Sequence, residues 1–218
     1  MLKIRSSQVG RIMTSPNKVG LSEGAKTYIK EIAIENVYGI KTEFSSKYTD
    51  KGLIMEDEAI ELVSEVIPSL GFITKNEEFF ENDFIKGTPD INSDVIIDIK
   101  CSYEPTTFPF FDDEIKNKLY YYQLQSYLWL TNKSHAMLCY CLMNTPENIV
   151  QYEVNKAIKN SPLSPEEVEL NVRALHNFDN IDKELRVKTF SIDRDEEAIE
   201  QIKNKVLASR EYYNTLVK

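Results

Sequence analysis

The sequence contains few cysteines, no long apolar run and no glycine- and serine-rich linker. Its three cysteines, Cys101, Cys139 and Cys141, are too few and too odd in number for a disulfide framework, which indicates a reducing compartment. No stretch approaches the roughly 20 uninterrupted apolar residues that span a bilayer, so a transmembrane helix is excluded. The first residues lead directly into polar sequence, without the apolar core of a secretion signal. We therefore expect a cytoplasmic protein with no membrane association.

The composition is that of one globular domain, but the charge is unevenly distributed. The chain has 218 residues, of which 42% are hydrophobic and 28% charged, and domains commonly hold roughly 100–200 residues. The net charge is −9, yet residues 1–30 carry six Lys and Arg against a single Glu. Such a basic segment can attract phosphate over the roughly 8–10 Å that salt leaves unscreened, or it is an ordinary solvated surface. Charge alone leaves both interpretations open.

Hydrophobic periodicity and turn residues predict an alternation of helices and strands. Apolar residues at helical spacing predict helices over 21–40, 52–66, 113–131 and 195–216, and Ser164-Pro165 is typical of a further helix start. Runs rich in β-branched and aromatic residues predict strands over 72–80, 84–86, 94–100, 136–143, 149–154 and 185–192. This order predicts one α/β domain with a central mixed sheet flanked by helices, in which the helix over 113–131 is a long crossover connection.

The strand over 94–100 carries the most distinctive polar pattern. With a period of two, Asp98 and Lys100 share one face, and the other face is entirely apolar. An acid and a lysine in such a strand are costly unless they are exposed, paired or bound to a metal. Asp90 follows the turn Gly-Thr-Pro, so two carboxylates beside a lysine form an oxygen-ligand pocket suited to Mg²⁺. The alternative is an ordinary turn followed by a surface ion pair on an edge strand.

Two predicted helices supply further polar residues. Glu56 lies early in the helix over 52–66, where an acid favours the helix dipole, and it could also add a third carboxylate to the pocket. Gln123 and Tyr127 are four residues apart and therefore lie on one face of the long helix. An amide in such an aromatic, apolar stretch needs a hydrogen-bond partner, and core packing does not explain it.

In their order and spacing, these pieces resemble the PD-(D/E)XK nucleases that carry the RecB-type Gln-x-x-x-Tyr motif. The matching residues are Glu56, Gly87-Thr88-Pro89-Asp90, Asp98-Ile99-Lys100, Gln123 and Tyr127. The similarity is closer still to the viral recombination exonucleases typified by lambda exonuclease (YqaJ-like), whose long helix has the form Gln-x-Gln-x-x-x-Trp, as Gln123, Gln125 and Trp129 do here. The segments 5–12 and 190–196 are similar too, so the resemblance covers nearly the whole chain.

The resemblance implies a role for each matching residue. It makes Asp90, Asp98 and the carbonyl of Ile99 ligands of Mg²⁺, for which Mn²⁺ substitutes. It makes Glu56 the helix acid near the metals, in contact with them through water. It makes Lys100 the residue that orients or activates the attacking water, and Gln123 the residue that helps to hold Lys100 or the DNA end. Residues implied at the DNA end or its 5′-phosphate are Arg5, Ser7, Thr88 and Tyr127. An iron–sulfur cluster is not expected, because three cysteines cannot supply four ligands.

The function that the resemblance implies is a metal-dependent exonuclease that degrades one strand of linear double-stranded DNA, 5′ to 3′, in phage-type homologous recombination. Expected partners are duplex DNA ends, a single-strand annealing protein and two further copies of the chain in a ring-shaped trimer, in the cytoplasm of a bacterial host. Within a single nuclease domain, 1–50 is expected to meet the DNA end, 51–145 to form the catalytic core and 146–218 to be peripheral. The alternatives are an endonuclease and a catalytically inactive DNA-binding module on the same fold.

Overall fold

A computed structural model of the protein describes residues 1–41 and 47–217. Residues 42–46, which belong to the predicted DNA-end segment, lie outside the described residues. The strands are β1 (Ile4–Arg5), β2 (Phe80–Glu81), β3 (Ile85–Gly87), β4 (Ile91–Asn92), β5 (Ile96–Cys101), β6 (His135–Cys141) and β7 (Val187–Asp193). The helices are α1 (Val9–Ile12), α2 (Glu23–Tyr38), α3 (Lys47–Val66), α4 (Lys118–Thr131), α5 (Glu147–Ile158), α6 (Pro165–Ala174) and α7 (Glu196–Leu216). No helix in these ranges is both long and apolar enough to cross a bilayer.

Side-chain caps and left-handed residues set the helix boundaries that matter most for the site. Ser22 caps α2 by accepting a hydrogen bond from the Ala25 amide, and Gly39 ends that helix with φ of 68°. Asn117 caps α4 in the same way, which is why this helix begins at Lys118 and not at residue 113 as predicted. Asn132 then ends α4 with φ of 55° and turns the chain directly into β6.

The larger sheet has four strands in the order β4-β5-β6-β7 and is mixed, as the sequence predicts. β5 and β6 run parallel, joined by the crossover helix α4, and the two outer pairs are antiparallel. The register places Asp98 opposite Leu138 and Lys100 opposite Tyr140. A second sheet, which the sequence did not predict, has the order β1-β3-β2 and pairs the N-terminal strand in parallel with β3.

The alternation predicted for β5 decides which helix covers each face of the larger sheet. Ile97 and Ile99 pack with α3 residues such as Val63, whereas Ile96 packs with Leu124 of α4. Asp98 and Lys100 therefore lie on the face that α4 covers. The polar pair and the glutamine-bearing helix are brought together because strand and helix periodicities place both on the same side.

Two strand predictions are wrong. Residues 149–154 belong to α5, where Ile149, Val150 and Val154 are buried and so share one side of a helix. The β-branched residues there favoured a strand locally, but packing on a helical face decides. In the segment 72–80 only Phe80 enters a ladder. Asn76 instead binds the 89–90 turn, because its main-chain N–H donates a hydrogen bond to the Asp90 carbonyl at 2.7 Å.

Candidate active site

Asp98 is the central acid of the site, and it is fully buried in an inner strand of the sheet. The interpretation as a surface pair on an edge strand is therefore wrong. Gln123 Nε2 donates to Asp98 Oδ1 at 2.7 Å, which supplies the partner that the amide needed. Lys100 Nζ lies 2.5 Å from Asp98 Oδ2, but no described residue gives Oδ2 a well-aligned hydrogen bond. One oxygen of this carboxylate is thus fixed and the other is held only by an ion pair.

Asp90 lies next to Asp98 at the point where the β4–β5 ladder stops. The last paired residues are Ile91 and Ile97, and beyond them Asp90 Oδ2 accepts a hydrogen bond from the Ile99 amide at 2.7 Å. Because the N–H and C=O of one strand residue point to the same side, the Ile99 carbonyl faces this same edge. Burial and the charge of Asp98 raise the pKa of Asp90 to about 7. Two carboxylates and one carbonyl therefore converge.

Lys100 is a positioned cation. Burial lowers the pKa of its ammonium, but the charges of Asp98 and Asp90 raise that pKa by more, so that it ends well above its ordinary value. The ammonium also lies 5.0 Å from the centre of the Tyr120 ring, a cation–π contact. These neighbours favour the protonated form of Lys100, which can orient and neutralise a neighbouring group.

Tyr127 is a buried residue that contacts Gln123. Gln123 Nε2 also lies 3.3 Å from the Tyr127 hydroxyl, to which it donates. Tyr127 is only 3% exposed, and a Cβ added at Gly87 would lie 3.0 Å from its ring. The structure thus places Tyr127 in contact with Gln123 and against the Gly87 backbone. The contact with the DNA end that the resemblance implies for Tyr127 stays a prediction.

Glu56 faces the same cavity from α3. It lies in the middle of that helix, which begins at Lys47, so the helix dipole does not explain it. Its Oε2 lies 3.1 Å from Lys75 Nζ, and the side chain is 18% exposed. Glu56 also helps to raise the pKa of Asp90, but its effect is smaller than that of burial and that of the Asp98 charge.

Glu56, Asp90, Lys100 and Gln123 line one cavity of about 570 Å³, the main cavity. Asp98 and Tyr127 are buried and are not among the described residues on its wall. The predicted site residues on its wall are Ser7, Glu56, Asp90, Ile99, Lys100 and Gln123. Thr88 is half-buried in the turn that leads to Asp90 and is not among the described residues that line the main cavity. Arg5 lies elsewhere, on the wall of a second cavity of about 210 Å³ with Lys3 and Lys86. The structure therefore brings Ser7 to the acids and separates Arg5 from them.

Comparison with solved structures identifies the family. A phage-related exonuclease from Haemophilus somnus 129PT is similar at 30% sequence identity and a TM-score of 0.81, over 99% of this chain and 95% of that one. The chain belongs to the family of phage-related, lambda-type exonucleases. An alkaline exonuclease from Laribacter hongkongensis shares the fold at 15% identity and a TM-score of 0.66, over 99% of this chain and 89% of that one. No protein-family model and no curated protein matches the nuclease.

The donor set of the nuclease fits a divalent cation. No three His, Cys, Asp or Glu side chains of residues 1–41 and 47–217 form a ready-made metal-binding group. The fit comes instead from two carboxylates of adjacent segments and one main-chain carbonyl, which are the oxygen ligands that Mg²⁺ prefers. Burial is the larger cause of the raised pKa of Asp90, and the charge of Asp98 is the second. A bound cation would compensate the repulsion between the two acids.

Several residues beside the candidate site were not predicted from the sequence. Ser6 is fully buried, and its hydroxyl has no hydrogen-bond partner among the described residues. It lies against Gly87, where an added Cβ would be 2.9 Å from Ser6 Oγ. Tyr120 and Tyr140, which flank Lys100 on the cavity wall, were also missed. The Gly-Thr-Pro turn signalled a close backbone approach, but nothing local in the sequence indicates what would approach it.

Proposed function

We propose that this nuclease is a metal-dependent exonuclease that degrades one strand of linear double-stranded DNA. The observation that carries the proposal is the convergence of Asp90, Lys100 and Gln123 on one cavity, with the buried Asp98 in contact with both Lys100 and Gln123. We further propose 5′ to 3′ polarity and a role in phage-type homologous recombination in the cytoplasm of a bacterial host. A single-strand annealing protein and a ring-shaped trimer around the duplex belong to the same proposal.

Asp90, Asp98 and the Ile99 carbonyl would hold Mg²⁺ or Mn²⁺, with Glu56 contributing through water. When bound, the cation polarises a phosphate oxygen and lowers the pKa of a bound water. Gln123 keeps Asp98 in one orientation, because its amide fixes one carboxylate oxygen and leaves the other toward Lys100. Tyr127 in turn limits the freedom of the Gln123 amide. The protein thus prepares the ligand geometry before substrate arrives.

Lys100 acts on the scissile phosphate as a fixed positive charge. Its ammonium lies between the Asp98 carboxylate and the Tyr120 ring, which restricts its position. A protonated lysine there neutralises the charge that develops on the phosphate and orients the attacking water, without having to accept a proton. The contribution of Lys100 is therefore electrostatic.

For the DNA end, we propose that Ser7 on the cavity wall and Thr88 in the turn that leads to Asp90 contact the terminal 5′-phosphate. Arg5 shares the second cavity with Lys3 and Lys86, so we assign it to the phosphate backbone of the duplex, away from the scissile end. Cations on one surface attract phosphates regardless of sequence. This assignment keeps the basic N-terminal segment, 1–50, as the part that meets DNA.

A comparison of linear with closed circular DNA tests the proposal against both alternatives. An exonuclease in Mg²⁺ degrades the linear duplex completely and leaves a covalently closed circle of the same sequence intact, and EDTA stops the reaction. An endonuclease would linearise the circle. An inactive binding module would leave both substrates intact while retarding them in a gel, which would discard the proposed activity. Strand-specific end labels on the linear duplex report the polarity.

A further inference from the structure

Two tyrosines lie beside Lys100, and the chemistry proposed above uses only the contact of Tyr120 with the Lys100 ammonium. Tyr120 lies in the first turn of α4, and Tyr140 lies on β6 directly opposite Lys100 in the register. Their rings meet edge to face, with centroids 6.1 Å apart. Both rings are partly exposed and line the main cavity.

The two tyrosine rings contact the hydrophobic core on one side only. Tyr140 packs edge to face against Phe190, with centroids 5.9 Å apart, and that side belongs to the core between the sheet and α4. The other side faces the main cavity. Burial raises the pKa of Tyr140 to about 12. Its phenol is therefore neutral at physiological pH and does not repel a phosphate in the cavity.

We propose that Tyr120 and Tyr140 form a stacking subsite for the unpaired base of the nucleotide whose phosphate lies at Lys100. This inference rests on the proposed exonuclease function and names the part of the substrate that the cavity wall recognises. A nucleotide combines a phosphate with an aromatic base, and the wall combines an ammonium with two aromatic rings. The volume of about 570 Å³ is that of pockets for small organic ligands, so the cavity can hold about one nucleotide of a single strand and not a duplex.

The subsite implies that the terminal base pair must open before hydrolysis. Stacking on an aromatic side chain replaces part of the stacking that the base loses when it leaves the duplex, and it tolerates every base because each has a π-face. We therefore expect similar affinity for all four deoxynucleoside monophosphates.

The test compares dAMP with 2-deoxyribose 5-phosphate, which carries the same phosphate and sugar but no base. Calorimetric titration in Mg²⁺ of the whole protein should give a Kd for dAMP that is lower by roughly tenfold or more, the range of single-base stacking. In Tyr120→Leu and Tyr140→Leu the ratio of the two Kd values should fall toward one. In Tyr140→Leu, which leaves the contact between Tyr120 and Lys100 in place, the affinity for the sugar phosphate should stay. Tyr120→Phe, which keeps the ring, should keep the ratio.

Tyr152→Leu on α5, which replaces an exposed tyrosine, is the matched control and should keep the ratio. Equal affinity for the two probes in the unmodified protein would overturn the subsite, and so would a ratio unchanged in both leucine variants. The first of these outcomes needs no variant and remains decisive if a leucine variant fails to fold. Cleavage of closed circles would discard the exonuclease function without altering this ratio, so the two failures are distinguishable.

Discussion

Two glutamines on α4 allow the role of Gln123 to be separated from a purely structural one. Replacement of Gln123 by Leu removes the hydrogen bond to Asp98 Oδ1, at 2.7 Å, and the weaker one to the Tyr127 hydroxyl, at 3.3 Å. A hydrogen bond to a charged group contributes about 1.5–3 kcal/mol, and a buried carboxylate left without it keeps its desolvation cost. We expect the free energy of unfolding to fall by about 2–3 kcal/mol and Tm by about 4–12 °C.

The same substitution should also reduce hydrolysis, because Asp98 loses the group that orients it. Partners that orient a metal ligand typically contribute about 10–100-fold in activity or metal affinity. The assay is the initial rate of nucleotide release from a linear duplex as a function of Mg²⁺ concentration, with urea unfolding measured in parallel. We expect a lower rate and a higher Mg²⁺ requirement in Gln123→Leu.

Gln125→Leu is the matched control. Gln125 is also buried and also makes two hydrogen bonds, but it donates to the Asp193 carbonyl at 2.8 Å and accepts from the Asp195 amide at 2.9 Å, at the start of α7. Its loss should destabilise the protein by about 1–3 kcal/mol and leave the Mg²⁺ dependence unchanged. The reasoning is refuted if the two variants lose activity equally, or if Gln123→Leu keeps a normal rate and Mg²⁺ requirement.

Two further predictions concern the acid pair and the turn before it. The folded-state pKa of Asp90, about 7, lies above its ordinary value. Without metal, the free energy of unfolding therefore falls as pH rises toward 7, because Asp90 must lose its proton in the folded protein. Bound Mg²⁺ would compensate the negative charge that Asp90 then carries beside Asp98. The rise in Tm on replacing EDTA by Mg²⁺ should therefore be larger at pH 8 than at pH 5.5, and an equal or smaller rise would contradict the shared site. Gly87→Ala should lower the urea midpoint, because its Cβ would lie 2.9 Å from Ser6 Oγ, a crowding cost of about 1–3 kcal/mol. Gly24→Ala in α2, where an added Cβ meets open space, is the control and should raise both the urea midpoint and the stability, the latter by about 0.4–1 kcal/mol. If both substitutions lowered the midpoint equally, the role of the Gly87 contact would be contradicted.

The parts of the site that the sequence predicted are those set by local periodicity. A β-branched strand with a period of two places Asp98 and Lys100 on one face whatever the rest of the chain does. A spacing of four places Gln123 and Tyr127 on one helix face. The meeting of these two faces follows from one βαβ crossover, which the order of elements already predicts.

The parts that the sequence could not predict depend on contacts between distant segments. Ser6 reaches Gly87 only because β1 pairs with β3, more than 75 residues away along the chain, and no local pattern specifies that pairing. Tyr140 faces Lys100 because of the β5–β6 register. Arg5 and Ser7 line different cavities, although only Ser6 separates them in the sequence, because β1 ends at Arg5.

The most direct test of the account is the rate of linear duplex degradation by Asp98→Asn, with Asp94→Asn as the control. Asp94 is an exposed acid just before β5, so its variant should degrade DNA at the normal rate. Asp98→Asn keeps the shape of the side chain but removes the charge that would hold the cation and pair with Lys100. The account predicts a loss of about 100-fold or more, with the fold retained by circular dichroism. Near-normal turnover in Asp98→Asn would contradict the assignment of the active site.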